Sequence, residues 1–156
     1  MRNAALILVL AAVAVPALVL GHCQVPCGIY DDELRFQTIE EHITTVEKAM
    51  TSLAELSPQG AQNLNQIVRW VETKESHAQE IQDIMSAYFF TQRLKPVGAS
   101  DAGYADYLES LRLIHEVAVS AMMCKQTVDP ANVAGLRKAV AAYNVHYFKD
   151  KEHDHE

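Results

Sequence analysis

Apolar residues recur along most of the chain at the spacing of amphipathic helices. Between Asp31 and Leu56 they fall at Ile39, Ile43, Val46, Met50 and Leu53. Steps of four and three residues place these side chains on one face of a helix. A second stripe follows the turn at residues 57–60, and its members are Leu64, Ile67, Val71, Ile81, Ile84, Met85 and Tyr88. A third stripe starts near Asp101, with Leu108, Leu111, Ile114, Val117, Ala121 and Met122.

A fourth helix is predicted to begin at Asp129 and Pro130. An Asp at the N-cap followed by Pro in the first turn is a common helix start. The expected inner face of this helix carries Val133, Leu136, Val140 and Tyr143. No strand-like alternation interrupts the four segments. The pattern predicts an all-α fold over residues 31–150, an antiparallel up-down four-helix bundle.

Residues 1–21 have a different character. Arg2 precedes a long apolar run without charges, and the small residue Gly21 ends it. These features are typical of a secretory signal peptide. We expect a processing peptidase to cut before His22 and the mature protein to be exported to a periplasm, a lumen or the cell exterior. An uncleaved membrane anchor is the alternative, since about 20 apolar residues can span a bilayer.

The composition fits one globular domain and argues against a nucleic-acid partner. The chain has 156 residues, of which 49% are hydrophobic and 21% are charged. Its 13 basic and 20 acidic side chains give a net charge of −7. No basic stripe is present to neutralise phosphates, so nucleic-acid binding is not expected.

The stretch HCQVPCGIY, residues 22–30, concentrates soft metal ligands at the predicted cleavage site; we call it the hook. After the cut, the new amine, the amide nitrogen and thiolate of Cys23 and the thiolate of Cys27 can bind one metal in a plane. The His22 imidazole can then take an axial position. Two nitrogens and two sulfurs in a plane suit Ni(II) or Cu(II) better than zinc. The ligand amine exists only after cleavage, which explains why the motif abuts the cleavage site.

This pattern resembles the nickel hook of nickel-containing superoxide dismutases. The family's fixed positions are matched by His22, Cys23, Pro26, Cys27, Gly28 and Tyr30. The resemblance implies a four-helix bundle, one nickel ion per chain and a homohexamer. It also implies conversion of superoxide to dioxygen and hydrogen peroxide while nickel cycles between Ni(II) and Ni(III).

The resemblance assigns a role to each matched residue. His22 would supply its amine and, in the oxidised state, its imidazole. Cys23 would supply amide nitrogen and thiolate, and Cys27 a second thiolate. Tyr30 would stand at the mouth of the site and order water or the incoming anion. Tyr88 looks like the counterpart of a second tyrosine that the family places near the metal.

The match is less complete around the axial histidine. The family holds that imidazole with a glutamate that is paired with an arginine. Here Glu40 or Glu41 is the expected glutamate, and Lys74 stands near the place of the arginine, while Arg69 lies more than a turn away. Lysine lacks the bidentate fork of arginine. Gln24 also stands where some members have Asp.

Other functions of the hook lead to different expectations. Cys23 and Cys27 could form a small disulfide loop in an exported protein, although this leaves the other fixed positions unexplained. The chain could also be an exported metal-binding or metal-delivery protein without catalysis, which uses the hook and the histidines His146, His153 and His155. A thiol exchanger is disfavoured because no βαβ pattern is present.

The remaining candidate ligands are expected to be structural. Cys124 follows an apolar helix face and is predicted to be an inert buried thiol. His42, His77 and His115 lie within helices without the i,i+4 spacing of a zinc pair, and are expected to be hydrogen-bonded or exposed. The histidines near the C-terminus, including the acidic tail at 151–156, are interpreted as part of a solvated, frayed end.

Overall fold

The computed structural model describes residues 32–149, and these residues are helical apart from short connections. Helix α1 spans Asp32–Leu56, and a 3-10 segment at Ser57–Asn63 leads into α2, Leu64–Asp83. Helix α2 continues as a π-helical segment, Ile84–Arg93. Helices α3 and α4 span Tyr104–Gln126 and Pro130–Phe148. No strand occurs between residues 32 and 149, so the predicted all-α class is confirmed for this range.

Each helix runs antiparallel to the next, and α4 returns beside α1. The α1–α2 pairing brings His42 against His77 near its middle. Between α2 and α3, the side-chain amide of Gln82 donates to the carbonyl of Ala118 at 2.9 Å. This order is the predicted up-down bundle. The α1–α4 contact is strengthened by Arg137, which binds carboxylates of α1.

The core lies between the four predicted stripes, and two of the stripes are confirmed completely. In α1 and α4 every predicted inner position is buried: Ile39, Ile43, Val46, Met50, Leu53, Val133, Leu136, Val140 and Tyr143. Burial of apolar side chains is the main stabilising contribution to such a bundle. Near one end the core becomes aromatic, with Phe36 and Phe89 in contact at a ring-centroid distance of 4.8 Å.

The outer parts of the α2 and α3 stripes are exposed, and these positions correct the prediction. Leu64 is 60% exposed, and Val71, Leu108 and Met122 are also exposed. The buried positions of α2 begin at Lys74, where α3 ends. The turns of α2 before Lys74 therefore extend past α3, and their apolar side chains have less of the bundle to pack against.

The connections between the helices have the local features that the sequence predicts. The Asp129 side chain accepts a hydrogen bond from the backbone N–H of Ala131 at 2.9 Å, which confirms the predicted N-cap of α4. Gly60 has φ of +63° within the α1–α2 connection. Glycine adopts this left-handed conformation without the steric cost that a Cβ atom brings. Within the described residues, no helix is both long and apolar enough to cross a membrane.

His42 and His77 form a polar link between α1 and α2. Their Nδ1 atoms are 2.7 Å apart, so one imidazole must donate its proton to the other. Burial, and then the neighbouring charge of His77, lower the pKa of His42, while Glu80 and Glu41 raise it. The net lowering means that the folded state favours the neutral form of His42.

The His42–His77 link should make stability depend on pH. The pKa of His42 is lower in the folded state than in the unfolded state, where it is about 6.5. The link therefore contributes fully to the free energy of unfolding above about pH 6.5, and this contribution is lost as the pH falls below that value. We expect acidification from pH 7.5 to 5.0 to remove about 1 kcal/mol, the net worth of one hydrogen bond. Urea unfolding of wild type and His42→Gln at both pH values measures the difference. His115→Gln, which changes an exposed histidine of α3, is the control, and an unaltered pH dependence in His42→Gln would contradict the assignment.

Candidate functional site

The predicted metal ligands lie outside the described residues. This holds for His22, Cys23 and Cys27, and also for Tyr30 and Gln24. The leader at 1–21 and the tail at 151–156, with His153 and His155, likewise lie outside. The structure does describe the end of the bundle at which the hook is covalently joined to α1.

A buried carboxylate joins three helices at that end. Asp32, the first residue of α1, is only 7% exposed. Its carboxylate accepts hydrogen bonds from the Tyr88 hydroxyl, from the Arg93 guanidinium and from the Tyr147 hydroxyl, the last at 2.7 Å. Arg93 also donates from Nε to the Tyr147 oxygen at 2.9 Å. We call these four residues the Asp32 anchor.

The anchor depends on the π-helical end of α2. Tyr88 and Arg93 are five residues apart, and in an α-helix such residues point to different sides. The wider turn is visible where the Leu94 N–H donates to the Phe89 carbonyl at 2.9 Å, an i→i+5 bond. This turn lets both side chains reach Asp32. Departures of this kind from α-helical geometry are frequent at functional sites.

Tyr88 is held rigidly and stays protonated. Burial, together with the hydrogen bond to Asp32, raises the pKa of Tyr88 to about 12. Two guanidinium groups flank the ring, with the Arg35 Cζ at 4.9 Å and the Arg93 Cζ at 5.8 Å from its centroid. Tyr88, expected from the sequence to lie near the metal, thus packs beside the first residue of α1; its part in catalysis stays a prediction.

Lys74 was expected to pair with the glutamate that holds the axial histidine, and this prediction is wrong. Lys74 is buried, and its ammonium donates to the Cys124 and Lys125 carbonyls and to Glu75. It therefore binds the C-terminal end of α3 and makes no pair with either candidate glutamate. Glu40 instead binds Arg137 of α4 at 2.5 Å.

Most of the structural assignments of other polar residues are confirmed. Cys124 is fully buried, as predicted, and burial raises the pKa of its thiol to about 11, which disfavours the reactive thiolate at neutral pH. His42 and His77 are hydrogen-bonded, and His115 is exposed. The placement of His146 in a frayed terminus is wrong.

His146 lies on α4, where its Nε2 is 2.9 Å from the Ser110 hydroxyl of α3. The His146 side chain is mostly buried against α3. Its Nε2 also lies 3.5 Å from a carboxylate oxygen of Asp106, whose own side chain is exposed. The two residues that follow it complete the helix. His146 is therefore part of the packed bundle.

Sequence reasoning did not single out three of the anchor residues, Asp32, Arg93 and Tyr147. The signals were present but weak: an acidic pair directly after the hook, and an arginine just before a helix-breaking segment. An acidic first turn is common in helices because it complements the helix dipole. Nothing in the sequence marks Asp32 as buried.

The fold and the sequence together define a class of protein. It is a helical bundle whose first helix is held by a buried carboxylate and is preceded in the sequence by a metal-ligand motif. Among residues 32–149, no group of three or more His, Cys, Asp or Glu side chains is placed to hold a metal ion. The model of the family described as nickel-containing superoxide dismutase matches residues 16–151. The comparison with curated proteins gave no match, and neither did the comparison with solved structures.

The family match covers most of the chain, and it includes the hook and all four helices. The chain belongs to the nickel-containing superoxide dismutases. It is therefore an oxidoreductase that uses nickel and acts on superoxide. The match confirms the family inferred from the six fixed positions of the hook.

Asp32→Asn should destabilise the Asp32 end of the bundle. The amide removes the negative charge and leaves Arg93 without its ion-pair partner, which costs about 2 kcal/mol for a partly buried pair. We expect this loss in the free energy of unfolding, together with faster hydrogen exchange in the first turns of α1. Asp106→Asn is the matched control, because its ion pair with Lys149 is exposed and contributes at most about 1 kcal/mol. Equal losses in the two variants would contradict the anchor.

Proposed function

We propose that the hook, released at its N-terminus by cleavage before His22, holds one nickel ion per chain and is the site of superoxide dismutation. Two superoxide ions and two protons become one dioxygen and one hydrogen peroxide. The observation that carries the proposal is the family match, which spans residues 22–30 with every fixed position in place.

The donor set of the hook fits nickel. The His22 amine, the Cys23 amide nitrogen and the thiolates of Cys23 and Cys27 are strong donors, and two of them are soft anions. Nickel would supply one-electron chemistry by alternating between Ni(II) and Ni(III), and anionic donors favour the higher state. The His22 imidazole would be a further ligand of the oxidised metal.

The Asp32 anchor supports a site at this end of the bundle. Tyr30 precedes Asp32 by only two residues in the sequence, and two residues of chain span at most about 7 Å. A site that includes Tyr30 therefore has to be close to the Asp32 anchor, of which Tyr88 is a member. We propose that Tyr30 and Tyr88 line the approach to the metal, where Tyr88, protonated and rigid, orders water or the incoming anion.

The proposal includes maturation and assembly. Residues 1–21 are proposed to be a signal peptide that directs export and is removed by a processing peptidase, and the mature chain is proposed to form a homohexamer. On protein from its native host, N-terminal sequencing tests the cleavage and the molecular mass tests the homohexamer, while metal analysis of the same sample tests the nickel content. An N-terminus other than His22 would contradict the maturation step.

The two hook cysteines should be essential, whereas Cys124 should not. Cys23→Ser and Cys27→Ser replace a soft anionic donor by a hydroxyl that binds nickel poorly. We expect each to lose nearly all dismutase activity and bound nickel while circular dichroism stays helical, because the core of residues 32–149 is built from the apolar faces of the four helices. Cys124→Ser is the matched control and should retain nickel and activity near the wild-type level. Full activity in either hook variant would exclude the nickel-thiolate mechanism.

The N-terminal amine itself should be required. Inserting one alanine between Gly21 and His22, with the cut placed before the alanine, moves the amine one residue away. The five-membered chelate ring with the Cys23 amide then cannot form, and a less basic amide nitrogen replaces the amine. We expect the folded bundle to persist and most of the activity to be lost.

The matched samples for this insertion are the correctly cut protein and the unprocessed precursor, all loaded with excess nickel. Activity and the electron-spin signal of Ni(III) are measured in each. The precursor should be inactive, like the extended protein. If all three were equally active, the amine would not be a ligand.

A further inference from the structure

Arg35 presents an unsatisfied cation beside Tyr88. It lies one turn into α1, and its guanidinium packs over the Tyr88 ring at 4.9 Å. Its Nε is buried and has no hydrogen-bond partner among the described residues. Buried polar groups in proteins are nearly always hydrogen-bonded, so this donor requires an explanation.

The charge of Arg35 is also unpaired, unlike the charges of Arg93, Arg112 and Arg137. Arg93, on the same tyrosine ring, binds the Asp32 carboxylate. Arg112 binds Glu109 and Glu116. Within residues 32–149 Arg35 has no ion pair. Of the two guanidinium groups that flank Tyr88, only Arg35 is thus available to a mobile anion.

Arg35 opens onto a pocket beside Tyr88. The pocket has a volume of about 210 Å³, and Thr38, Glu80 and Asp83 are among its lining residues. The two carboxylates repel any anion, and they repel a multiply charged anion more strongly than a singly charged one. One unpaired guanidinium in a pocket of this size suits a small inorganic anion with a single charge.

We propose that Arg35 is the residue that attracts and holds superoxide at the face of Tyr88 before it reaches the metal. This inference rests on the proposed function. The chain carries a net charge of −7, which repels an anion at long range, so a local positive charge must offset it. Steering by local charge can raise association rates by about 10-fold or more, and salt weakens it.

The test compares processed, nickel-loaded Arg35→Gln, Arg35→Lys and wild type. The measurement is kcat/KM for superoxide as a function of ionic strength. We expect Arg35→Gln to lower kcat/KM about 10-fold at low ionic strength and to flatten its salt dependence. Arg35→Lys keeps the charge and should stay within about 3-fold of wild type. Arg112→Gln, which changes a paired arginine of α3, is the control and should leave both quantities unchanged.

A second measurement on the same preparations does not depend on activity. The chlorine-35 NMR linewidth of chloride reports exchange of an anion with the protein. It should narrow in Arg35→Gln and remain at the wild-type value in Arg112→Gln. Helical circular dichroism shows that each variant is folded.

The outcomes separate the two proposals. A loss of activity in Arg35→Gln that is the same at all ionic strengths, or a salt dependence equal to that of wild type, would overturn the role of Arg35. An unchanged chloride linewidth would overturn it as well. Absence of dismutase activity in the wild type would instead overturn the proposed function, and the chloride linewidth would still decide whether Arg35 holds an anion.

Discussion

The buried carboxylate of Asp32 is the constraint on which the Asp32 end of the bundle depends. A carboxylate removed from water must be paired and hydrogen-bonded to remain charged. Here the partners come from the end of α2 and the end of α4, through Tyr88, Arg93 and Tyr147. The need to satisfy one charge therefore fixes the relative positions of three helices. Because Asp32 is the first residue of α1, its contacts also fix where this helix begins.

A second buried charge stabilises the opposite part of the bundle. Lys74 is 3% exposed and donates to the carbonyls of Cys124 and Lys125. The last carbonyls of a helix have no partner within the helix and carry partial negative charge. The ammonium satisfies two of them at the end of α3. Apolar side chains pack between Asp32 and Lys74. Both charged groups bind other residues of the bundle and not a ligand.

The sequence was sufficient for the fold class and for the family, but not for the polar contacts between helices. The α1 stripe from Ile39 to Leu53 and the Asp129 cap depend on local spacing, and local spacing is visible in a sequence. The partner of Glu40 is Arg137, 97 residues away, and this pairing depends on the register between α1 and α4. The reach of Arg93 to Asp32 depends on a π-helical turn, for which the sequence carries no comparable signal. The contacts of Lys74 with the end of α3 depend on the register between α2 and α3, and the sequence alone therefore led to the wrong partner.

The Asp32 anchor also limits what Tyr88 can do in dismutation. Formation of hydrogen peroxide consumes protons, and a nearby tyrosine is an obvious candidate to supply them. The Tyr88 proton, however, is donated to Asp32, and the pKa of about 12 keeps it there over the neutral range. Transfer of that proton would leave a buried phenolate beside a buried carboxylate, and both negative charges would then depend on Arg93 for compensation. On the proposed function, Tyr88 is therefore not the proton donor, and its fixed hydroxyl oxygen is left to orient water or the incoming anion.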